Sequence, residues 1–163
     1  MRLHFLFIVL FSIFLVACRK ECQYKNLPSI ECSDGYELVN GTVKYFVPLF
    51  HDVGIREFVI NSDSAYLNHF NGSMPYGDID FDASTLLIRH LLTSPADEWK
   101  YQYYLCHNAA NNTWKFNVEY SLGGQCQGSQ ISNFAASFIL LCPKIPGSDF
   151  VVFEVKDINP FPD

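Results

Sequence analysis

The feature that most constrains the fold of this 163-residue chain is a period-two alternation of apolar and polar residues in its second half. Residues 114–120 read WKFNVEY, so every second side chain is apolar. Successive side chains of a strand point to opposite faces, and this pattern therefore predicts a half-buried strand. Residues 99–106 alternate in the same way, with Tyr101, Tyr103 and Leu105 on one side. The fifteen Phe and nine Tyr of the chain also favour strands.

The same procedure predicts further elements along the chain. Residues 85–92 and 134–142 are nearly all apolar, as in strands that are buried on both faces. A single helix is predicted after an N-cap in Asn61-Ser62-Asp63, ending at Asn71-Gly72. The seven predicted strands are residues 42–47, 55–60, 85–92, 99–106, 114–120, 134–142 and 150–155.

These elements indicate an α+β fold that is mostly β. Consecutive short strands joined by hairpin-like turns favour antiparallel pairing. We therefore expect a single antiparallel curved sheet or half-open barrel of about seven strands, with one short helix packed on it. The chain length suits one domain.

The N-terminal residues predict where in the cell the protein is located. Residues 3–17 are apolar apart from His4 and Ser12, a run too short for a comfortable membrane span and typical of a secretory signal. The run ends in Leu15-Val16-Ala17-Cys18, which resembles the lipobox of bacterial lipoproteins. This resemblance implies a signal peptide over 1–17, a tether and domain edge over 18–41, and a β-rich domain over 42–163.

In such lipoproteins the signal peptide is cut before the cysteine, and the cysteine carries lipid. The resemblance therefore implies acyl chains such as palmitate on Cys18 and attachment to the bacterial cell envelope, with the outer membrane expected. Two or more acyl chains give stable anchoring, so the rest of the chain need not enter the membrane.

Five cysteines remain besides Cys18, and an exported protein permits disulfides. Five is odd, so at most two bridges form. Cys22 and Cys32 flank a short segment and are candidates for a local bridge. A single bridge is expected among the three cysteines of the strand-rich half, which are Cys106, Cys126 and Cys142.

Charge and motifs narrow the function classes. The net charge is −6 and no basic block is present, so we expect no nucleic-acid partner. The histidines do not cluster in sequence, and His90 lies in an apolar strand, where a hydrogen-bonded core or edge role is expected. No metal-binding or hydrolase motif occurs, so we expect no enzyme activity, no metal and no cofactor, although a hydrolase site assembled from scattered residues remains an alternative.

Two short motifs offer other sites. Asp78, Asp80 and Asp82 have the spacing that begins a calcium loop, but Ala83 and Arg89 stand where glycine and glutamate are required, so a solvated loop is favoured. Asp63-Ser64-Ala65 fits the O-glycosylation triplet of Bacteroidetes and makes Ser64 a candidate for modification.

The aromatic strands leave two interpretations open. Their aromatic side chains either pack in the core or form an exposed platform for a glycan or peptide, and Tyr104 and Tyr120 are the residues to check.

Part of the chain also resembles a known family. A strand ending in VINS at residues 59–62, a helix through Tyr66, and residues 79–88 (IDFDASTLLI) are similar to the C-terminal domain of the B-type lipoprotein subunits of protease complexes in Bacteroidetes. The ending, with PKIP at residues 143–146 before VVFEV at residues 151–155, is also similar. The resemblance covers roughly residues 55–156. It implies a non-enzymatic module that binds another envelope protein, with a role as accessory to a membrane-associated protease.

Overall fold

The computed structural model describes residues 26–49, 54–93, 99–122 and 134–158. The elements in these ranges are β1 (Glu37–Leu38), β2 (Val43–Leu49), β3 (Arg56–Ile60), α1 (Asp63–His69), β4 (Ser84–Thr93), β5 (Trp99–Asn108), β6 (Thr113–Leu122), β7 (Phe134–Pro143) and β8 (Phe150–Asp157). Each of the seven predicted strands overlaps one of β2–β8, and the predicted helix is α1. A mostly β fold with one short helix is therefore confirmed.

The helix begins and ends where its sequence predicts. Ser62 is the N-cap, and its side-chain oxygen accepts a hydrogen bond from the backbone N–H of Ala65 at 3.3 Å. Asn71 and Gly72 have φ values of 53° and 83°, so the chain leaves the helix through a left-handed turn. The Gly72 N–H donates to the Leu67 carbonyl at 2.7 Å.

The strands form two four-stranded sheets. Sheet A has the order β1-β5-β6-β8, and sheet B has the order β2-β7-β4-β3. The prediction of one curved sheet or half-open barrel is therefore wrong. All neighbouring strands are antiparallel except β6 and β8, which run parallel. Because β7 lies in sheet B, the chain leaves sheet A after β6. It returns to sheet A as β8, which runs in the same direction as β6.

The second layer follows from strands that are apolar on both faces. In β4, Leu87 and Leu91 face sheet A, whereas Leu86 and Ile88 face the helix. Leu86, Leu87 and Ile88 are each 0% exposed. A single sheet covered by one helix would leave one of these faces in water. The cost in free energy is about 25 cal/mol for each Å² of apolar area exposed. The two-sided strands therefore favour a sandwich.

The larger core lies between the two sheets. Phe138 of β7 is its centre, with ring centroids of Phe46, Tyr101 and Tyr103 at 5.4, 5.5 and 5.4 Å. The alternating residues of β6 and β8 point into it as predicted, and Phe116 is 0% exposed. The remaining members include Leu105, Trp114, Val118, Val151, Phe153 and Val155.

A second core lies on the other face of sheet B. Tyr66 of α1 is 0% exposed and packs with Ile79 and Phe81 from the segment that follows the helix. The Tyr66 hydroxyl accepts a hydrogen bond from the Tyr76 N–H at 3.0 Å. This face of sheet B is therefore covered by the helix and by the loop that precedes β4.

Strand β2 continues through Pro48, although this proline was expected to end the strand. Because β2 lies at the edge of sheet B, proline is tolerated there.

In the described ranges, no helix is both long enough and apolar enough to cross a membrane.

Candidate functional site

The outer face of sheet A carries the candidate site. The strand register forms rows of outward side chains across this face, one of which contains Tyr104, Asn117 and Glu154. The neighbouring row contains Gln102, Glu119 and Lys156. These residues alternate with the core residues of β5, β6 and β8, so the packing that builds the core also fixes their positions.

Residues 26–33, which we call the strap, run over β5 on this face. The backbone carbonyl of Pro28 accepts a hydrogen bond from Gln102 Nε2 at 3.0 Å, and the Glu31 carbonyl accepts one from the Tyr104 hydroxyl at 3.4 Å. Cys32 and Cys106 form a disulfide with a Cα–Cα distance of 6.0 Å. The disulfide and these hydrogen bonds hold the strap against β5. The strap belongs to residues 18–41, which were predicted to be a tether and domain edge.

This disulfide corrects both expected pairings. Cys22 and Cys32 were candidates for a local bridge, and a single bridge was expected among Cys106, Cys126 and Cys142. Instead, Cys32 and Cys106 bond each other across 74 residues. The strap runs along β5 and places Cys32 beside Cys106, so two cysteines that are distant in sequence become neighbours. Cys142 is a free, buried thiol that donates to the Thr85 carbonyl at 3.4 Å, and burial raises its pKa to about 12. Cys22 and Cys126 lie outside the described residues.

A groove of about 520 Å³ lies between the strap and β8. Its floor is the outer face of β6, with Asn117 and Glu119. Glu31 of the strap lines one wall, and Glu154 and Lys156 of β8 line the other. The groove is therefore partly open, and polar and apolar atoms line it about equally.

Glu119 is the most unusual residue in this groove because a carboxylate is 8% exposed on an outer face. Its two oxygens accept hydrogen bonds from Gln102 Nε2 at 2.7 Å and from the Tyr104 hydroxyl at 3.2 Å. Burial, together with the charge and hydrogen bond of Glu119, raises the pKa of Tyr104 to about 12. The hydroxyl therefore stays protonated at neutral pH and remains a donor to the carboxylate.

The wall formed by β8 carries an ion pair. Lys115 Nζ lies 2.8 Å from a Glu154 carboxylate oxygen, and the same ammonium group is 4.6 Å from the centre of the Tyr36 ring. The hydrogen bond to Glu154 raises the pKa of Lys115. These contacts tie β6 and β8 to the chain just after the strap.

A serine–histidine pair on the other side of the molecule is the arrangement closest to a hydrolase site. His90 Nδ1 lies 2.6 Å from Ser137 Oγ on the helix-facing side of sheet B. Ser137 is 2% exposed, so a substrate has no access to its hydroxyl in this conformation. Burial is the main cause that lowers the pKa of His90. The pair is a cross-strand hydrogen bond, as expected for a histidine in an apolar strand.

The acidic loop has a local role. Asp80 Oδ1 accepts a hydrogen bond from the Asp82 N–H at 3.0 Å, and the Asp80 carbonyl accepts one from the Ala83 N–H at 3.2 Å. The loop therefore forms a turn that leads into β4. Across the described ranges, no group of three potential acidic, cysteine or histidine ligands is placed to hold a metal ion.

Of the two interpretations of the aromatic strands, core packing describes most of their aromatic side chains in the described ranges. Tyr103, Tyr104 and Trp114 are 5%, 5% and 8% exposed, and Tyr120 packs partly buried against the larger core. Tyr104 faces outward but lies under the strap. The described aromatic side chains of β5 and β6 therefore pack in the larger core or under the strap, with Tyr101 and Tyr120 half-buried.

The remaining predicted sites fall in two groups. Ser64 is exposed in the first turn of α1, so the candidate glycosylation position is accessible. The candidate lipidation site Cys18 and the expected signal peptide lie outside the described residues.

Comparison with known protein families, with curated proteins and with solved structures finds no match for this chain.

Sequence reasoning missed Glu119 as a functional candidate. Its position in the alternation of β6 indicates only an outward residue, as it does for Lys115 and Asn117. The burial of Glu119 depends on the strap and on the side chains that the neighbouring strand supplies. The local signal was that Glu119 is the one acidic residue of β6.

Proposed function

We propose that this chain is a lipid-anchored lipoprotein of the bacterial cell envelope that binds another envelope protein and catalyses no reaction. Lipid on Cys18 would hold it at the membrane, with the outer membrane favoured. A membrane-associated protease is the partner that the family resemblance favours, and that part of the proposal depends on the resemblance alone.

The observation that carries the binding proposal is the groove on the outer face of sheet A. Both apolar cores are packed without this face, so its polar residues are not needed to close either core. The face is nevertheless built up: a disulfide holds the strap over β5, and neutral donors fix a buried carboxylate in the groove floor. A concave surface with a few polar groups held in fixed positions is typical of a binding site.

The adjoining edge of sheet A supports the same proposal. In the described part of the chain, β8 pairs only with β6. Phe150 and Val152 on its outer face are 71% and 40% exposed. Exposed apolar residues beside a polar groove give a partner both contact area and hydrogen-bonding positions.

Site-specific photocrosslinking in the source bacterium tests the binding proposal. The photoreactive residue p-benzoylphenylalanine replaces Val152 in the full-length protein, and the same residue at Leu67 of α1 is the control. The two positions are matched in exposure, at 40% and 37%. We expect one envelope protein crosslinked in stoichiometric amounts from position 152 and not from position 67. Absence of such a product, or equal products from both positions, would contradict the proposal.

The anchor is tested separately. Intact mass of the membrane-extracted protein is expected to show an acylated N-terminus at Cys18, and Cys18→Ala is expected to release the protein from the membrane fraction. An unmodified N-terminus at Cys18 would refute the anchoring while leaving the binding proposal open.

A further inference from the structure

Glu119 is a buried carboxylate that has no ion-pair partner within 4.0 Å in the described ranges. Its hydrogen-bond partners, Gln102 and Tyr104, are neutral donors. Arg89 pairs with Glu57 and Lys115 pairs with Glu154, and no ion pair joins Glu119 to a lysine or arginine of the described ranges. Burying a charge is costly unless it is paired, and buried charges in proteins are usually paired.

The carboxylate lies where a ligand would meet it. Glu119 lines the groove, and the carboxylates of Glu31 and Glu154 line the two walls above it. Lys156 is the cation among the groove-lining residues; it is exposed and lies opposite Glu119 in the register of β6 and β8. Glu154 is already paired with Lys115 at 2.8 Å, so Glu31 and Glu119 supply the attraction for a positive charge, and Lys156 is the cation that would compete with a ligand.

We propose that the groove binds a basic side chain of an extended segment of the partner protein, with Glu119 as its counter-ion. This inference rests on the proposed protein-binding function. An arginine fits better than a lysine, because its planar guanidinium carries several N–H donors and can bond a carboxylate oxygen of Glu119 and a second acceptor of the groove at once.

The shape of the site favours an extended segment. The groove follows β6 and is bounded by the strap on one side and by β8 on the other. Phe150 and Val152 continue the outer face of β8 towards the start of that strand. A segment lying along the groove would place its basic side chain over Glu119 and an apolar side chain near Val152.

Titration calorimetry on the full-length protein in mild detergent tests the inference. The probes are the N-acetylated, C-amidated tripeptides Val-Arg-Val and Val-citrulline-Val, which differ in the charge of one nearly isosteric side chain. We expect saturable binding of the arginine peptide in the millimolar range, at least 10-fold weaker binding of the citrulline peptide, and a loss of affinity on adding salt. Equal affinity of the two peptides, or no saturable binding of either, would overturn the inference.

Three variants locate the binding. Glu119→Gln keeps the size of the side chain and removes its charge, so we expect at least a 10-fold loss of arginine-peptide affinity. Lys156→Gln removes the competing cation, and we expect a two- to fivefold gain. Glu37→Gln makes the same chemical change at an exposed carboxylate that does not line the groove, and no change is expected. A loss in Glu37→Gln as large as that in Glu119→Gln would overturn the assignment to the groove.

Crosslinking separates this inference from the function beneath it. When Glu119→Gln is combined with the photoreactive residue at position 152, the partner yield is expected to fall at least fivefold. An unchanged yield would refute the role of Glu119 while the binding function stands. If the protein with wild-type Glu119 yields no crosslinked partner, the binding function is refuted. The peptide titration would then still show whether the groove binds an arginine side chain.

Discussion

Removal of the Cys32–Cys106 disulfide is predicted to destabilise the protein strongly. The bond joins residues 74 apart, so in the unfolded chain it closes a long loop. The loop-entropy relation gives about 15 cal/mol/K for a loop of that length, or about 4.5 kcal/mol at 25 °C. For a chain of this size the corresponding fall in Tm is about 10–18 °C.

The assay is urea unfolding of the full-length protein in mild detergent, with the double variant Cys32→Ser/Cys106→Ser compared with the wild type. Both cysteines are replaced so that no new thiol remains. Tryptophan fluorescence is a suitable signal because Trp114 lies in the larger core. Hydrogen exchange is expected to become faster in the strap first, since the variant retains only its hydrogen bonds to β5.

The control is the same comparison in a reducing agent. Because reduction also removes the bond from the wild type, the two proteins are expected to unfold at similar urea concentrations there. A difference below about 1 kcal/mol without reductant would refute the loop-entropy reasoning, since typical native disulfides contribute about 2–5 kcal/mol. A difference of the same size in reductant would mean that the serines, and not the lost crosslink, cause it.

Three further predictions concern the cores. Cys142, whose pKa is raised by burial from 9.0 to about 12, is expected to be alkylated in the native protein at least 100-fold more slowly than in urea, as followed by peptide mass spectrometry; rapid native alkylation would contradict its burial. Burial lowers the pKa of both His69 and His90, so the unfolded chain binds their protons more readily and stability is expected to fall as pH drops below about 6.5. Urea unfolding at pH 7.5 and 5.5 measures this fall, and a His69→Gln/His90→Gln variant with an equally large fall would show that other groups cause it. Phe138→Ala, at a residue that is 0% exposed among three aromatic rings, is expected to lower the free energy of unfolding by about 3–5 kcal/mol, and a loss below about 1 kcal/mol would show that the centre of the core is misplaced.

Local signals in the sequence were sufficient to predict the elements. The alternation in β6, the cap at Ser62 and the left-handed exit at Asn71 each depend on a few neighbouring residues, and each is confirmed. Strand β1 was missed because its two residues, Glu37 and Leu38, are too few to show a period.

The arrangement of the strands was not predictable from the same signals. Hairpin-like turns describe β5 and β6 correctly, but they do not indicate that β7 pairs with β4 in the other sheet. The apolar character of β4 on both faces already required a cover on each side. A single sheet with one helix could not cover both faces. The apolar pattern of β4 was therefore stronger evidence for two sheets than the hairpin-like turns were for a single sheet.

The candidate site depends on contacts between residues that are distant in sequence, and this is why its chemistry escaped prediction. Glu119 occupies an outward position that predicts a solvated side chain, yet Tyr104 from the neighbouring strand and the strap above it remove most of its contact with water. The strap is held there by a bond across 74 residues. The disulfide and the buried carboxylate are therefore linked: if the strap is released, Glu119 gains water, and the advantage of a basic partner side chain falls. The Cys32→Ser/Cys106→Ser variant is therefore expected to bind the arginine peptide more weakly than the wild type, under conditions in which the variant is still folded. Unchanged affinity would show that the burial of Glu119 does not depend on the strap.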